Sequence, residues 1–478
     1  MENTLIVGAG GAGKELLTEL KKDFRSNKKY LIRGFVDDDL IKKELKVLGL
    51  PVLGTIKDLP KIIKENEIQI VFIAIPSAHG ELIKKIISKC RNLPVIVKIV
   101  PRISEIINGK VDLHKIREIQ TEDLLGRELT RMDFSDAKKK SKGKKIIVFG
   151  GAGSIGSKLC EQLALLDTKE LLIVDFWENG LYYLEQRMNK IKNKNNKVKV
   201  RYIVGDIKDK EKTEKIIGQY KPQVIFNAAA YKHVPLMELN PDEAVRNNIF
   251  GTKNLFESSI KHNVESFILI STDKAVNPTN VMGATKRVTE KMMHYYSKKT
   301  DKTKFMAVRF GNVLSSNGSV IPLFKKQIEE GVVTVTHKDI TRYFMTIDEA
   351  VQLILQCWVL SKGDEIFVLD MGEPIKISNL AELMIRLSGK EPGKEVQIKY
   401  VGLRPGEKIY EEPLTEVEAT TATKNNKIYI LSKDENFDFS NFIGAVNFLI
   451  KNSYNLDNKK LKKTLKILVP TYKEFVAK

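Results

Sequence analysis

Twice along this chain an apolar run of strand length breaks into glycines and passes at once into a helical pattern. At the start, Thr4-Leu5-Ile6-Val7 leads into Gly8-Ala9-Gly10-Gly11-Ala12-Gly13, and Leu16, Leu17 and Leu20 follow at helical spacing. The same order restarts with Lys145-Ile146-Ile147-Val148-Phe149, then Gly150-Gly151-Ala152-Gly153-Ser154-Ile155-Gly156, then a helix expected over 157–166. Strand, glycine turn, helix is how a βαβ unit begins, and a parallel sheet built from such units needs helices on both faces. Few other architectures accept this grammar even once.

The alternation continues after each opening. Apolar runs at 30–36, 70–76 and 95–100, with a helix at 81–90 between the last two, make a small parallel sheet. Runs at 170–174, 198–204, 224–227, 266–271 and 304–308 make a longer one, and the alternation loosens after about residue 310. The expected fold class is α/β: two Rossmann-like domains in tandem, 1–100 and 144–478. A linker over 101–143 joins them, and a small substrate lobe lies mainly after 310. The residues around the two glycine turns do not match as a copied unit.

Composition narrows the class of partner. The 478 residues are 42% hydrophobic and 29% charged, enough for packed cores, so wholesale disorder is excluded. Cys90, Cys160 and Cys357 lie far apart, with neither disulfide nor zinc spacing, which fits a reducing cytosol. The net charge is +20, with lysine clusters at 138–145, 190–199 and 459–466. These clusters lack interleaved aromatics and a recognition motif, which argues against nucleic acid. They read as a solvated surface, or as attraction to nucleotide phosphates or an acidic membrane face, which leaves peripheral membrane association open. No apolar run approaches the ~20 residues a bilayer requires, and no signal peptide is expected.

The second glycine turn is the more specific of the two. Gly150, Gly153 and Gly156 let backbone N–H groups approach a pyrophosphate at a helix N-terminus, with Ser154 and Ile155 between them. Asp175 ends the next strand, where a carboxylate takes both ribose hydroxyls and repels a 2′-phosphate. Phe176, Trp177 and Glu178 follow it with no arginine, so NAD is expected over NADP. Asp206 and Ile207 would flank the adenine, unless Asp206 simply caps the following helix. The first turn is either a nucleotide site or a structural turn.

The chemistry concentrates after the strand at 267–270, in Ser271-Thr272-Asp273-Lys274-Ala275-Val276-Asn277-Pro278-Thr279-Asn280-Val281-Met282-Gly283-Ala284-Thr285-Lys286. Thr272, Asp273 and Lys274 fall at a C-terminal strand end, where open parallel sheets place ligands. This segment resembles the catalytic strand and helix of extended short-chain dehydrogenases. Its Thr-Asp-Lys triplet resembles the capsular-polysaccharide type of UDP-N-acetylglucosamine 4,6-dehydratase. Further blocks resemble that family in order: Ala228-Ala229-Ala230-Tyr231-Lys232-His233, Arg309-Phe310-Gly311-Asn312, Thr341-Arg342-Tyr343-Phe344 and Leu403-Arg404-Pro405-Gly406-Glu407-Lys408. The likeness is close over about 95–420 and looser before it.

The resemblance implies a lyase that oxidises C4 of the sugar, eliminates water across C5 and C6, and returns the hydride to C6, with NAD retained throughout. It implies Asp273 as the acid for the C6 hydroxyl and Lys274 as the base at C5. Those roles require a raised Asp273 pKa and a Lys274 pKa lowered by burial and by cations such as Lys286. Thr272 would bond the C4 oxygen, Lys286 the nicotinamide ribose, and Ala228 would join the cofactor contacts. Asn312, Arg342, Arg404 and Glu407 are candidates for diphosphate, uridine and ribose contacts, and Lys232 for the sugar or diphosphate. His233 reads as structural. The position usually held by Tyr is Met282, which cannot shuttle a proton, and this resembles the members that retain configuration at C5.

Large members carry transmembrane helices ahead of the first domain. This chain resembles either a soluble member or one whose membrane region has been removed; it would act in the cytoplasm, or at the inner face of the membrane. Relatives pair through the helix that bears Lys286, where Met292 and Met293 are apolar, so a homo-oligomer, at least a dimer, is expected. The N-terminal domain is expected to be non-catalytic, and no metal is expected. A 4-epimerase and a catalytically silent dinucleotide sensor are the competing readings.

Overall fold

The structure, a computed structural model, describes residues 1–27, 29–43, 45–75, 78, 80–90, 93–100, 117–118, 134–192, 198–412, 420–431 and 439–474. Two compact units emerge, Met1–Arg131 and Met132–Lys478.

In the first unit the elements run β1 (Glu2–Val7), α1 (Gly11–Asn27), β2 (Tyr30–Val36), β3 (Lys46–Val47), β4 (Leu50–Gly54), α2 (Leu59–Glu65), β5 (Ile70–Ile73), α3 (Gly80–Cys90), β6 (Ile96–Ile99) and β7 (Arg117–Glu118). They build one sheet in the order β3-β4-β2-β1-β5-β6-β7, parallel except at its two outer pairings. Leu16, Leu17 and Leu20 are buried against Ile6, Phe35 and Phe72, so the helical spacing seen in the sequence is the core-facing stripe of α1. A Cβ on Gly13 would lie 1.9 Å from the Gly8 carbonyl oxygen, so only glycine permits this helix to start so close to β1.

The second unit opens with α4 (Ser135–Ser141), β8 (Lys145–Phe149), α5 (Ser154–Leu165), β9 (Glu170–Asp175), α6 (Glu178–Lys192), β10 (Lys199–Val204), α7 (Lys210–Tyr220) and β11 (Val224–Asn227). Then come α8 (Val234–Leu239), α9 (Pro241–Ala244), a π-helical turn at Val245–Gly251, α10 (Thr252–Lys261), β12 (Ser266–Ile270), α11 (Val281–Ser297) and β13 (Lys304–Arg309). The main sheet has nine strands, the first six in the order β10-β9-β8-β11-β12-β13, with three later strands extending it beyond β13. Strand order reverses between β8 and β11, and the crevice outside their C-terminal ends is where such sheets bind ligands. Along β8, Ile147 and Phe149 enter one core while Ile146 and Val148 enter the other. Burial on both faces explains why these strands read as unbroken apolar runs.

The remaining elements are β14 (Asn312–Val313), α12 (Val320–Glu329), β15 (Val332–Val335), β16 (Thr341–Arg342), β17 (Phe344–Met345), α13 (Ile347–Leu360), β18 (Glu365–Leu369), β19 (Ile375–Lys376), α14 (Ile377–Leu387), β20 (Gln397–Tyr400), β21 (Thr420–Ala422), β22 (Ile428–Leu431), α15 (Phe439–Lys451) and α16 (Asn458–Leu468). Three two-stranded sheets, β14-β17, β15-β20 and β16-β19, form the lobe. The chain after 310 is not all lobe, however. β18 returns to pair with β13, and β22 and β21 extend the main sheet antiparallel.

Two expectations change here. Most of the expected linker 101–143 lies outside the described residues, but a short strand within it and its C-terminal end are structured. Arg117–Glu118 pairs with β6, and the lysine-rich stretch is α4, packed on α13 with Lys140 reaching the carbonyls of Trp358 and Val359. Met292 and Met293 do not wait for a second subunit either. Both are fully buried in one core with Phe442, Val446 and Leu449 of α15 and Leu461, Leu465 and Leu468 of α16. Within the single chain α16 packs on α11, so these two methionines are not free to form a subunit contact. Among the described residues no helix is long and apolar enough to cross a membrane.

Candidate active site

A cavity of about 860 Å³ opens along the C-terminal ends of β8, β11 and β12 and runs under the lobe. Its volume is at the upper end of the small-molecule range. At one end lies the glycine turn. Gly150 has φ +73°, and a Cβ there would meet the Ala229 amide nitrogen at 2.4 Å, so the backbone crosses the crevice without side chains. Gly153 heads α5, whose first-turn N–H groups have no side-chain cap and are of the kind that bind an anion. The Ser154 hydroxyl accepts from the Asn317 amide at 3.0 Å, tying the loop after β14 to the turn.

Asp175 ends β9 and accepts backbone N–H bonds from Ala152 and Trp177, each at 2.9 Å. Burial pushes its pKa up against those bonds. Asp206 is no helix cap: it accepts from its neighbour Lys208 at 2.8 Å, while Asp209 caps α7. Asp206, Ile207 and Ala228 all line the cavity, as Gly150, Gly153, Ser154, Ile155, Gly156 and Asp175 do. Glycines for close approach, a helix N-terminus and a strand-end carboxylate together suit a dinucleotide.

The middle of the cavity holds Thr272, Lys274, Met282 and Lys286. Lys274 Nζ donates to Asp273 Oδ1 at 3.0 Å and to Asn312 Oδ1 at 2.9 Å. The Thr272 hydroxyl donates to the same Asp273 oxygen at 2.9 Å. Asp273 is 2% exposed and lies behind Thr272 and Lys274 rather than on the cavity wall. The expectation that Lys274 rests neutral is not met. Burial pulls its pKa down, but the carboxylates of Asp273 and Glu411 outweigh burial and the opposing Arg342, and hold it above the ordinary lysine value. Lys286 is the depressed lysine: burial pushes it to about 8, partly offset by Glu290. Its ammonium donates to the Ile270 carbonyl at 2.6 Å.

The expected substrate residues separate into two groups. Lys232 lines the cavity 3.5 Å from the Ser316 hydroxyl, with its pKa lowered by burial and by Lys274. Arg404, 57% exposed, pairs with Glu407 at 3.1 Å at the mouth. Asn312 and Arg342 are engaged within the protein instead. Asn312 holds the Lys274 ammonium, and the Arg342 guanidinium bonds the carbonyls of Thr341, Ile409 and Lys408 and the Glu407 carboxylate. Arg342 thus pins the 407–411 loop, and a guanidinium so occupied has little left for a diphosphate. His233 packs its ring over Gly318, as a structural residue would.

One residue of the site escaped the sequence reading. Glu411 is 8% exposed, and its Oε1 stands 3.7 Å from both Lys274 Nζ and Arg342 Nε. The only sequence signal for it is a glutamate pair shortly after the Arg404–Lys408 block. Among the described residues no cluster of His, Cys, Asp or Glu could hold a metal ion.

Comparison with known proteins agrees with this geometry. The model of the polysaccharide biosynthesis protein family matches residues 146–433, and that of a CoA-binding domain matches residues 1–101. The capsular polysaccharide biosynthesis protein CapD of Staphylococcus aureus is 42% identical over 428 residues, covering 89% of this chain and 71% of that protein. A UDP-N-acetylglucosamine 4,6-dehydratase (inverting) of Campylobacter jejuni is 32% identical over 328 residues, covering 66% of this chain and 93% of the enzyme. Among solved structures, Pen from Bacillus thuringiensis superposes with a TM-score of 0.57 at 33% identity, over 62% of this chain and 90% of that one.

Proposed function

The chain belongs to the polysaccharide biosynthesis protein family, and from that premise we propose that it is a 4,6-dehydratase of UDP-N-acetylglucosamine that retains configuration at C5. The observation that carries the reading is the Asp273–Lys274 pair, hydrogen-bonded at 3.0 Å at the end of β12, beside Met282 where a proton-shuttling Tyr would stand. Gly150, Gly153, Ser154, Ile155, Gly156, Asp175, Asp206, Ile207, Ala228 and Lys286 would hold NAD, which when bound supplies the hydride chemistry at C4 and C6.

The chain's own residues handle the protons. A C4 ketone acidifies the C5 hydrogen, and elimination then needs a neutral amine at C5 and a proton for the departing C6 hydroxyl. The resting pair holds its proton the other way round, as ammonium and carboxylate. One transfer along the 3.0 Å bond yields neutral Lys274 and protonated Asp273. Lys274, on the cavity wall, takes the C5 proton. Asp273 sits behind the wall, so the Thr272 hydroxyl, which at rest donates to it at 2.9 Å, turns to give its own proton to the departing C6 hydroxyl as its oxygen takes the proton of Asp273. Elimination therefore regenerates the ion pair. Lys274 then returns a proton to C5 on the face from which it was taken, which is retention, and the proton the pair has spent is replaced from solvent, which received the C4 hydroxyl proton when C4 was oxidised.

Lys232, Arg404 and Glu407 are the groups proposed for the diphosphate and ribose, a bidentate guanidinium being suited to the former. The reaction belongs in the cytoplasm. A homo-oligomer is part of the proposal, through a surface other than the one α15 and α16 cover. The test is incubation with UDP-N-acetylglucosamine and mass analysis. Loss of one water with deuterium entering C5 on the original face from deuterated solvent is the expected result. Unchanged mass with altered C4 stereochemistry would make the protein an epimerase, and no change a silent sensor. Met282 disfavours the epimerase, which needs a proton-exchanging group at that position.

A further inference from the structure

Three carboxylates and cations share one buried volume around Lys274. From its own segment comes Asp273, at 3.0 Å. From β14 comes the neutral Asn312 amide, at 2.9 Å. The loop after β11 contributes Lys232, and β16 contributes Arg342, whose charges push against Lys274. The loop after β20 contributes Glu411, whose Oε1 bridges Lys274 and Arg342 at 3.7 Å each. On the far side of Arg342 stands Glu407, at 3.4 Å. The other oxygen of Glu411, Oε2, is buried with no hydrogen-bond partner among the described residues.

A buried carboxylate oxygen without a partner is costly, so its retention calls for a reason beyond packing. The proton arithmetic of the site supplies one. Acid and base work as a pair that holds one proton in total, as Asp273–Lys274 ion pair or as its neutral tautomer. Losing that proton leaves no acid, and gaining a second leaves no base. We propose that Glu411 is a positioning residue that sets the pH window of this pair: its fixed negative charge holds the shared proton on Asp273 and Lys274 against the pull of Arg342 and Lys232. This rests on the dehydratase reading; Glu411 also lines the cavity, and the role proposed is that of its charge on the pair rather than of a contact with substrate.

The geometry makes the effect one-signed. Glu411 touches Lys274 and Arg342 through the same oxygen, so neutralising it removes an anion and leaves the Arg342 charge unopposed beside the pair. Both changes make every nearby proton easier to lose. A pair this close titrates as a unit, so both limbs of its bell-shaped profile move together to lower pH. An opposite charge within about 4–6 Å is worth roughly 1–3 pH units.

The experiment is the pH profile of kcat/KM for water loss from UDP-N-acetylglucosamine, which reports the free enzyme. Glu411→Gln should move the whole bell to lower pH by about one unit or more. Glu411→Met, which buries no unsatisfied amide, is the second neutral variant and should move it likewise; it carries the test if the Gln variant does not fold. Glu411→Asp keeps the charge and should restore most of the wild-type window. A bell unmoved within about 0.3 unit in either folded neutral variant, with only its height reduced, overturns the proposal and leaves Glu411 a packing residue. A wild-type protein that releases no water from this substrate overturns the dehydratase reading itself, a separate result from an unmoved bell.

Discussion

Replacing Lys274 by Met isolates the proton chemistry from the shape of the site, because the apolar chain keeps most of the lysine stem. The side chain is 17% exposed, with its ammonium held by Asp273 and Asn312. Asp273 is off the cavity wall and Lys286 is bonded to the Ile270 carbonyl, which leaves Lys232, 3.5 Å from the Ser316 hydroxyl, as the other amine on the wall. Turnover should therefore fall by ~10²–10⁴-fold, the scale for a positioned acid or base, equal to about 3–5 kcal/mol of barrier. Binding of NAD, followed by quenching of protein fluorescence, should stay near normal, since the glycine turn is untouched. Stability should fall as well, because breaking a buried ion pair costs about 3–5 kcal/mol, less here for partial exposure. The sign with pH is fixed by the raised lysine pKa. Its stabilisation is complete below the unfolded value of about 10.5 and is lost as pH rises through the higher folded value. Wild type and variant should thus differ by a constant amount in denaturant melts from neutral pH to about 9, and converge only above about 10.5. Near-normal turnover in the variant, or a stability gap that closes already below pH 9, would refute the assignment.

Asp175→Ala should weaken NAD binding and relax the rejection of NADP, read by titrating both; wild-type protein that purifies with NADP contradicts the cofactor assignment. Lys286→Met should lose cofactor affinity yet melt at a higher temperature at pH 7. Its folded pKa near 8 penalises the charged form, and that penalty is relieved as pH rises from about 8 to 10.5, so the variant's advantage should shrink over that window. Residues 132–478 alone, the second compact unit, should keep measurable water loss from UDP-N-acetylglucosamine; a well-folded but inert fragment would give the first unit a catalytic role.

The alternation of strand and helix was legible because both faces of each parallel sheet are buried. Unbroken runs such as Ile146–Phe149 leave little choice of structure. Glycine positions were legible for a harder reason: at Gly13 and Gly150 any Cβ would strike backbone. Where the reading slipped, the cause was a partner remote in sequence. The lysines of α4 look like linker until Trp358 and Val359 are seen to accept from Lys140. Met292 and Met293 look like a subunit interface because nothing local announces that α15 and α16, more than a hundred residues later, will cover them.

The same distinction runs through the site. Residue types at one strand end carried the resemblance, since Thr272, Asp273 and Lys274 are adjacent in the sequence. Protonation state belongs to a different level. The sequence argument lowered the Lys274 pKa through burial and Lys286, both real physical effects. In the fold Lys286 turns to the Ile270 carbonyl, while Asp273 and Glu411 supply two carboxylates that outweigh burial. Charge balance in a buried cluster is a sum over every element that reaches it, here β12, β14, β16, the loop after β11 and the loop after β20. Arg342 shows the consequence. Read alone it is a diphosphate clamp, but with its donors committed to the 407–411 loop it becomes the device that carries Glu411 to within 3.7 Å of Lys274. In the proposed reaction an arginine that holds a loop and a glutamate whose charge keeps the proton on its neighbours would act only through each other, so neither could be assigned from its own place in the chain.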